Sequence, residues 1–598
     1  MNKKKWLIGG LGLLALAAAL IAAFNIIVDP FGVFGDRFFN WYSYNMTQET
    51  SVAKIAYLER HHEEYDSYIL GSGSASAYLP ETLEQYQDAR YYNLFTQSCS
   101  AAEYQALAEY LLAHYEVRNL ILCIGPEEAQ ASRGPVKQHA AVTGENRLAF
   151  YLKYAFASPG YGIDKLRSRA ADTVLAQPFD QFLAETGCYD RRAEDVSRLE
   201  ETAPEASLPE AGDEAAALPR AAECAQAVAA ISRLCRAQGV AFTVVFSPVY
   251  AGLWDLSGSD TLRAYKELLA DAADYWDFSS SAISFESRYF YDEHHFRNAV
   301  GDMVLAKIFD EAAGCAPENF GIRVTKETAG APADFSAADV SRYTADVPVL
   351  MYHHFDQTAQ NETTVSAALF EEQIRALSEA GYQAVSFEEM IRYVDDGIPL
   401  PEKPVCITMD DGYLSNYEIA FPILKKYNMK ATIFAIGCSI GRDTYKDTAF
   451  SITPHFSYAQ AAEMMDSGLI SIQSHTYDMH QWPPYETGEQ VRKNIDRFAD
   501  EAEEAYIAVL EEDTQQYRAE FEAQTGHTLN VLAYPGGVYN TLSEVTFRRL
   551  GFRVTLTTQS DSVNTLVQGL PQSLFALYRY DITEELTAAA LLEMLAAV

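Results

Sequence analysis

"VCITMDDGYLSNY", residues 405–417, sets two aspartates side by side at the end of an apolar run. Adjacent carboxylates repel, so the pair is not placed there for stability. The run reads as a buried strand, and Asp-Asp-Gly as the turn that ends it. Similar runs lie on either side, including "VPVLMYHH", "MKATIFAIG", "LISIQSH", "LNVLAYPGG" and "FRVTLTT", with helical stretches between them. Strands alternating with helices predict a parallel sheet. Three of these runs end abruptly in polar or Pro-Gly motifs: at Asp410–Asp411, at His475 and at Tyr534–Pro535. Parallel α/β folds build sites at the C-terminal ends of their strands. The three motifs are therefore expected to form one constellation.

In "SHTYDMH", His475 and His480 are five apart, which does not put two imidazoles on one helix face. The pair is expected on a loop. Two imidazoles and one carboxylate make a common ligand set for a divalent metal that keeps a position open for water. A further carboxylate beside that water can take its proton. Neighbouring residues on an extended chain point to opposite sides, so the two aspartates suit two different tasks. The ligand types admit Zn, Co or Ni, with zinc the expected ion.

Residues 347–598 resemble the polysaccharide deacetylase (NodB homology, carbohydrate esterase 4) family. "TMDDGY", "SHTYDMH" and "AYPGG" match its three motifs in order, and "VPVLMYHHF" resembles the start of extracellular members. The resemblance implies a distorted (β/α) barrel that removes N-acetyl groups from an amino-sugar polysaccharide. It implies Asp410 as general base and Asp411, His475 and His480 as metal ligands. It gives the backbone N–H of Tyr534 an oxyanion role and makes Arg579, in "LYRYDI", an orienter of the base. Two departures stand out. Gly536 replaces a common aromatic residue, and no late Leu-x-His motif supplies a general acid, which leaves His353 or His354 for proton delivery.

Upstream, "DSYILGSGSAS" (66–76), "VRNLILCIG" and "VAFTVVFSP" read as strands of a second parallel sheet. A serine-bearing turn after the first strand, and Asp292 and His295 before a late helix, resemble the SGNH/GDSL hydrolase superfamily. That resemblance implies a relay with His295 as base, Asp292 as its orienter and Ser72 or Ser74 as nucleophile. The family's nucleophile position falls on Gly73, and Asn93 is the candidate oxyanion donor. Residues 190–220 read as an exposed excursion and 316–345 as a linker. The expected organisation is 1–30 membrane anchor, 31–315 SGNH hydrolase-like domain, 316–345 linker and 346–598 deacetylase domain.

The anchor rests on three lysines followed by an uncharged stretch from Trp6 to Val28, long enough to cross a bilayer. The lysines stay cytoplasmic, so both domains are expected outside the cell membrane. A cleaved signal peptide is the alternative. With 45 basic against 83 acidic residues and a net charge of −38, nucleic acid is excluded as an expected partner. The eight cysteines include no CxxC pair, so they are read as small core residues. Two other functions remain open: a glycan-binding scaffold whose domains have lost turnover, and an O-acetyl esterase or transferase acting through the N-terminal domain.

Overall fold

The computed structural model describes residues 3–39, 50–130, 138–170, 182–199, 214–251, 260–279, 281–292, 295–310, 316–317, 320–329, 343–359, 361–488, 490–559 and 562–597. They form two compact units, Met1–Arg191 with Thr202–Asp339 and Arg192–Glu201 with Val340–Val598.

The first unit opens with helix α1 (Lys3–Val28). Within it, Ile8–Val28 is long and apolar enough to cross a membrane. A six-stranded sheet follows: β1 (Ser67–Gly71), β2 (Tyr91–Asn93), β3 (Asn119–Ile124), β4 (Ala241–Phe246), β5 (Tyr275–Asp277) and β6 (Ile322–Val324), in the order β2-β1-β3-β4-β5-β6. All neighbours are parallel except β5 and β6. The central strands are apolar runs because helices cover both faces of a parallel sheet. Leu70, Leu122, Val244 and Phe246 accordingly lie in the buried core.

β6 lies inside the stretch expected as a linker, so that boundary is corrected. An edge strand of three residues has too few positions to register as alternation. Thr344–Val347, at the other end of the expected linker, pairs with Asn564–Val567 in the second unit. Residues 330–342 between them lie outside the described residues. The 190–220 excursion is corrected too. Arg192–Glu201 belongs to the second unit. There Arg198 is buried, with its guanidinium 3.7 Å from the centre of the Tyr578 ring. Residues 200–213 are outside the described set, and a helix starts at Glu214.

The second unit is built on an eight-stranded half-barrel sheet. Its strands are β7 (Val349–Tyr352), β8 (Pro404–Asp411), β9 (Ala431–Ala435), β10 (Ile470–Ser474), β11 (Val531–Ala533), β12 (Val554–Leu556) and β13 (Tyr580–Asp581), ordered β12-β11-β10-β9-β8-β7-β13. The short strand Gln383–Ala384 pairs with β8 off this path. Every pairing is parallel. The register aligns Asp411 with Ala435 and Ala435 with Ser474. The C-terminal ends of β8, β9 and β10 therefore lie level, which brings the aspartate and histidine motifs to one rim.

The sequence of the long acidic stretch 486–524 predicts one helix or a helical pair with a solvated charged face. The helix α2 spans only Glu503–Thr525, and one of its acids, Asp513, faces the rim rather than water.

Candidate active site

The strand β8 runs apolar and buried up to Met409, then presents Asp410 and Asp411 at its end. Asp411 adopts φ +70, a left-handed conformation that a non-glycine residue rarely takes. Gly412 follows at φ +85. A Cβ there would stand 2.9 Å from that of Ala435, so only glycine passes close beside β9. The left-handed turn removes the alternation expected of an extended pair. Both carboxylates converge on His475, whose Nε2 is 4.0 Å from Asp410 Oδ2 and 3.6 Å from Asp411 Oδ1.

The two acids nevertheless have different partners. Asp410 is buried in a two-pronged pair with Arg579, Nη1 to Oδ1 at 2.7 Å and Nη2 to Oδ2 at 2.8 Å. Arg579 is itself fully buried, and its Nε donates to Thr557 O. Burial alone would raise the Asp410 pKa. The Arg579 guanidinium and His475 outweigh it and hold the carboxyl well below the usual carboxylate range. Asp411 instead faces both histidines, with His480 Nε2 3.8 Å from its Oδ1. Burial again opposes ionisation, and His475, His353 and His480 reverse it.

Both imidazoles have fixed tautomers. His475 Nδ1 lies 2.8 Å from Ala533 O, and His480 Nδ1 lies 3.1 Å from Lys493 O. A carbonyl only accepts, so each Nδ1 carries a hydrogen, and each Nε2 is the ring nitrogen left to face Asp411, with a lone pair to offer when it is unprotonated. The ligand atoms of Asp411, His475 and His480 lie within 4.8 Å of one another. Two imidazole nitrogens and a carboxylate oxygen at that separation suit a divalent ion.

Tyr413 also hydrogen-bonds Asp411, whose charge, with burial, raises the phenol's pKa. The Tyr413 ring packs between His354 and His455, with centroids 5.1 Å away on each side. His354 Nδ1 is tied to Ser415 Oγ at 2.8 Å. His353 is half-buried and lies near enough to both acids to favour their ionised forms when it is protonated. Tyr413 was missed in the sequence, although it stands two residues past Asp411 in the quoted stretch. His455 had no local signal.

The Tyr534 oxyanion role is corrected. Its N–H donates to Leu556 O at 2.9 Å, so the sheet already uses it. Its phenol bonds Glu544 on the far side. The next turn closes from Gly537 N–H to Tyr534 O and from Val538 N–H to Pro535 O. Gly536 N–H stands outside these bonds. Its φ is +61, and open space surrounds the position of its absent Cβ.

In the first unit, His295 Nδ1 lies 2.9 Å from both Asp292 carboxylate oxygens. A Cβ on Gly73 would stand 2.7 Å from His295 Nε2. The flanking serines turn elsewhere: Ser72 Oγ donates to Glu127 at 3.0 Å and lies 3.5 Å from Ser74 Oγ. A serine–histidine bond, as expected of a relay, is not formed by either. Asn93 is corrected as well. Its amide hydrogens go to Ala75 O and Tyr78 O, so it closes the turn and has no donor left for an oxyanion.

A parallel half-barrel thus gathers two acids and two histidines at its strand ends, three of them placed so that they could hold a metal ion. Residues 397–555 match the polysaccharide deacetylase family, so the second unit carries a polysaccharide deacetylase domain. YxkH of Bacillus subtilis, assigned by its name to the polysaccharide deacetylases, is 29% identical over 274 residues, 46% of this chain and 83% of that protein. The poly-beta-1,6-N-acetyl-D-glucosamine N-deacetylase of Escherichia coli is 27% identical over 246 residues, 38% of this chain. The match spans only 36% of that enzyme's length. Among solved structures, the Streptococcus pyogenes deacetylase PplD in complex with acetate aligns at 25% identity and a TM-score of 0.33, covering 42% of this chain and 98% of that one.

Proposed function

We propose that the second unit hydrolyses N-acetyl groups on an amino-sugar polysaccharide of the poly-N-acetylglucosamine or peptidoglycan type. Asp410 serves as base, and Asp411, His475 and His480 hold a divalent ion, zinc being the first to test. We further propose that α1 anchors the chain in the cell membrane with both units outside. The observation that carries the reading is the convergence of Asp411, His475 and His480 beside the buried Asp410–Arg579 pair. The activity named for the E. coli relative supports an N-acetylglucosamine polymer as substrate.

An ion in this set supplies Lewis acidity toward the acetyl carbonyl and toward water. Arg579 keeps Asp410 ionised and fixes its orientation, and Asp410 takes the proton of the attacking water. Gly536 N–H is the donor at this turn for the oxygen that gains charge. As the C–N bond breaks, the amine needs a proton, and His353 delivers it. His354 is unsuited to that step because Ser415 and Tyr413 pin it. The products are acetate and a free amino sugar.

The test is acetate release by the full-length protein from β-1,6-linked N-acetylglucosamine oligomers and from peptidoglycan fragments. Release should stop on chelation and return with zinc. Undiminished release from metal-stripped protein would overturn the mechanism, and release from neither substrate would overturn the substrate class.

A further inference from the structure

The loop that carries His480 is held from outside by a carboxylate the reaction does not use. After His475 the chain turns through Thr476 at φ +68, a left-handed conformation costly for a β-branched residue. The next two backbone N–H groups both point at Asp513 of α2. Tyr477 N–H donates to its Oδ2 and Asp478 N–H to its Oδ1, each at 2.8 Å. The rest of this corner is tied to the turn after β9: Gly437 N–H donates to Thr476 O and Cys438 N–H to Tyr477 O, both at 3.0 Å. One turn further along α2, Tyr517 OH donates to Ala435 O at 2.8 Å, locking the helix to the same strand end. Burial pushes the Asp513 pKa up to about 6, while the two N–H donors oppose that rise. A partly buried carboxylate that accepts from two successive peptides holds a turn by charge-assisted bonds.

We propose that Asp513 is a positioning residue of the metal site. It fixes the 476–480 loop so that His480 meets Asp411 and His475 in one ligand set. The inference rests on reading those three residues as metal ligands. His475 needs less help, because it directly follows β10 and its Nδ1 is bonded to Ala533. His480 follows no strand: its Nδ1 meets Lys493 O, its ring packs edge-on against that of His475, and the loop sets its position. Groups that orient metal ligands typically change metal affinity ten- to hundredfold when removed.

The test uses the full-length, metal-stripped protein titrated with zinc against a competing chromophoric chelator. Asp513→Asn keeps the shape but offers one acceptor where two are needed. It should weaken zinc binding about ten- to hundredfold. Asp513→Glu retains both acceptor oxygens and should lose less. In a His480→Ala background the Asp513→Asn penalty should shrink to less than about twofold, because the positioned ligand is gone. Wild-type affinity in Asp513→Asn, or a penalty that persists in full without His480, would overturn the proposal. If Asp513→Asn fails to fold, Asp513→Glu decides: unchanged zinc affinity with a lowered Tm makes the role merely structural. A wild-type chain that binds no zinc would remove the metal reading itself, a result separate from a normal Asp513→Asn titration. Because the readout is binding, it stands whichever polymer is the substrate.

Discussion

Asp410 accepts two bonds from one guanidinium and touches no other cation more closely, so its charge and its aim depend on Arg579. Asparagine at 410 keeps the size, loses the charge and turns an amide N–H₂ toward a donor. Asp410→Asn should lower kcat by about 10²–10⁴-fold while zinc binding and KM stay near wild type. Acetate release and zinc titration together check this. A second buried acid shows the opposite balance. Glu544 accepts from Tyr534 and Thr555, but burial dominates and lifts its pKa from 4.5 to about 7. The folded chain thus binds this proton more tightly than the unfolded chain. Its stabilising contribution is complete below about pH 4.5 and is lost as pH rises to about 7. The shift corresponds to on the order of 3 kcal/mol. Glu544→Gln should therefore reduce the fall in Tm between pH 5 and pH 8, read by thermal denaturation at the two pH values. A fall as steep as the wild type's would show that the acid is not the cause.

At the level of elements, the rim works because tight turns end its strands. Gly412 lets the chain pass β9 at φ +85 immediately after Asp411. Gly412→Ala adds a Cβ against Ala435 in a left-handed conformation, at a cost of about 1–3 kcal/mol. It should lower Tm and weaken zinc binding together, since the clash displaces Asp411, the ligand proposed beside it. A Tm drop with unchanged zinc affinity would separate the turn from the site. These turns also explain what the sequence made legible. Asp410, Asp411, His475 and His480 stand in short motifs beside apolar runs, so local pattern was enough to single them out. The Tyr534 N–H was misjudged because its fate depends on which strand lies alongside, and β12 supplies Leu556 from twenty-two residues downstream. Asp513 was hidden for another reason. Within "AVLEEDTQQY" it looks like one more solvated charge, and only the packing of α2 against the rim gives it a different task. Likewise Arg198 sat in a stretch poor in large apolar residues, where burial comes from Tyr578 and the Ala576 carbonyl far along the chain. Pairings across long sequence separations leave no periodicity to read.

For the whole molecule, the role proposed for the first helix and the role proposed for the Asp410 site should be separable. The N-terminal part of α1 carries Leu11, Leu13, Leu14, Leu16 and Leu20 around the helix, each 57–70% exposed. Its C-terminal end behaves differently. Asn25 is buried and donates to Ala155 O and Ala157 O, and Asp29 beyond it is buried with Asp36 and Lys165. Deleting the helix outright would therefore damage the first unit as well as any membrane contact. A charge in the exposed stretch tests the anchor alone. Leu14→Lys puts a charge about a third of the way along the apolar segment, where a bilayer penalises lysine by up to about 2.5–3.5 kcal/mol, while in water an exposed lysine costs little. The variant should shift from the membrane fraction toward the soluble fraction, with zinc binding intact and acetate release from short soluble oligomers unchanged. Ser72→Ala and Ser74→Ala should leave the same release unchanged, because neither serine belongs to the unit that carries Asp410. If Leu14→Lys stayed in the membrane fraction as firmly as the wild type, the anchor would lie elsewhere. If either serine variant lost acetate release, the two units would share one reaction, and the division of labour proposed here would fall.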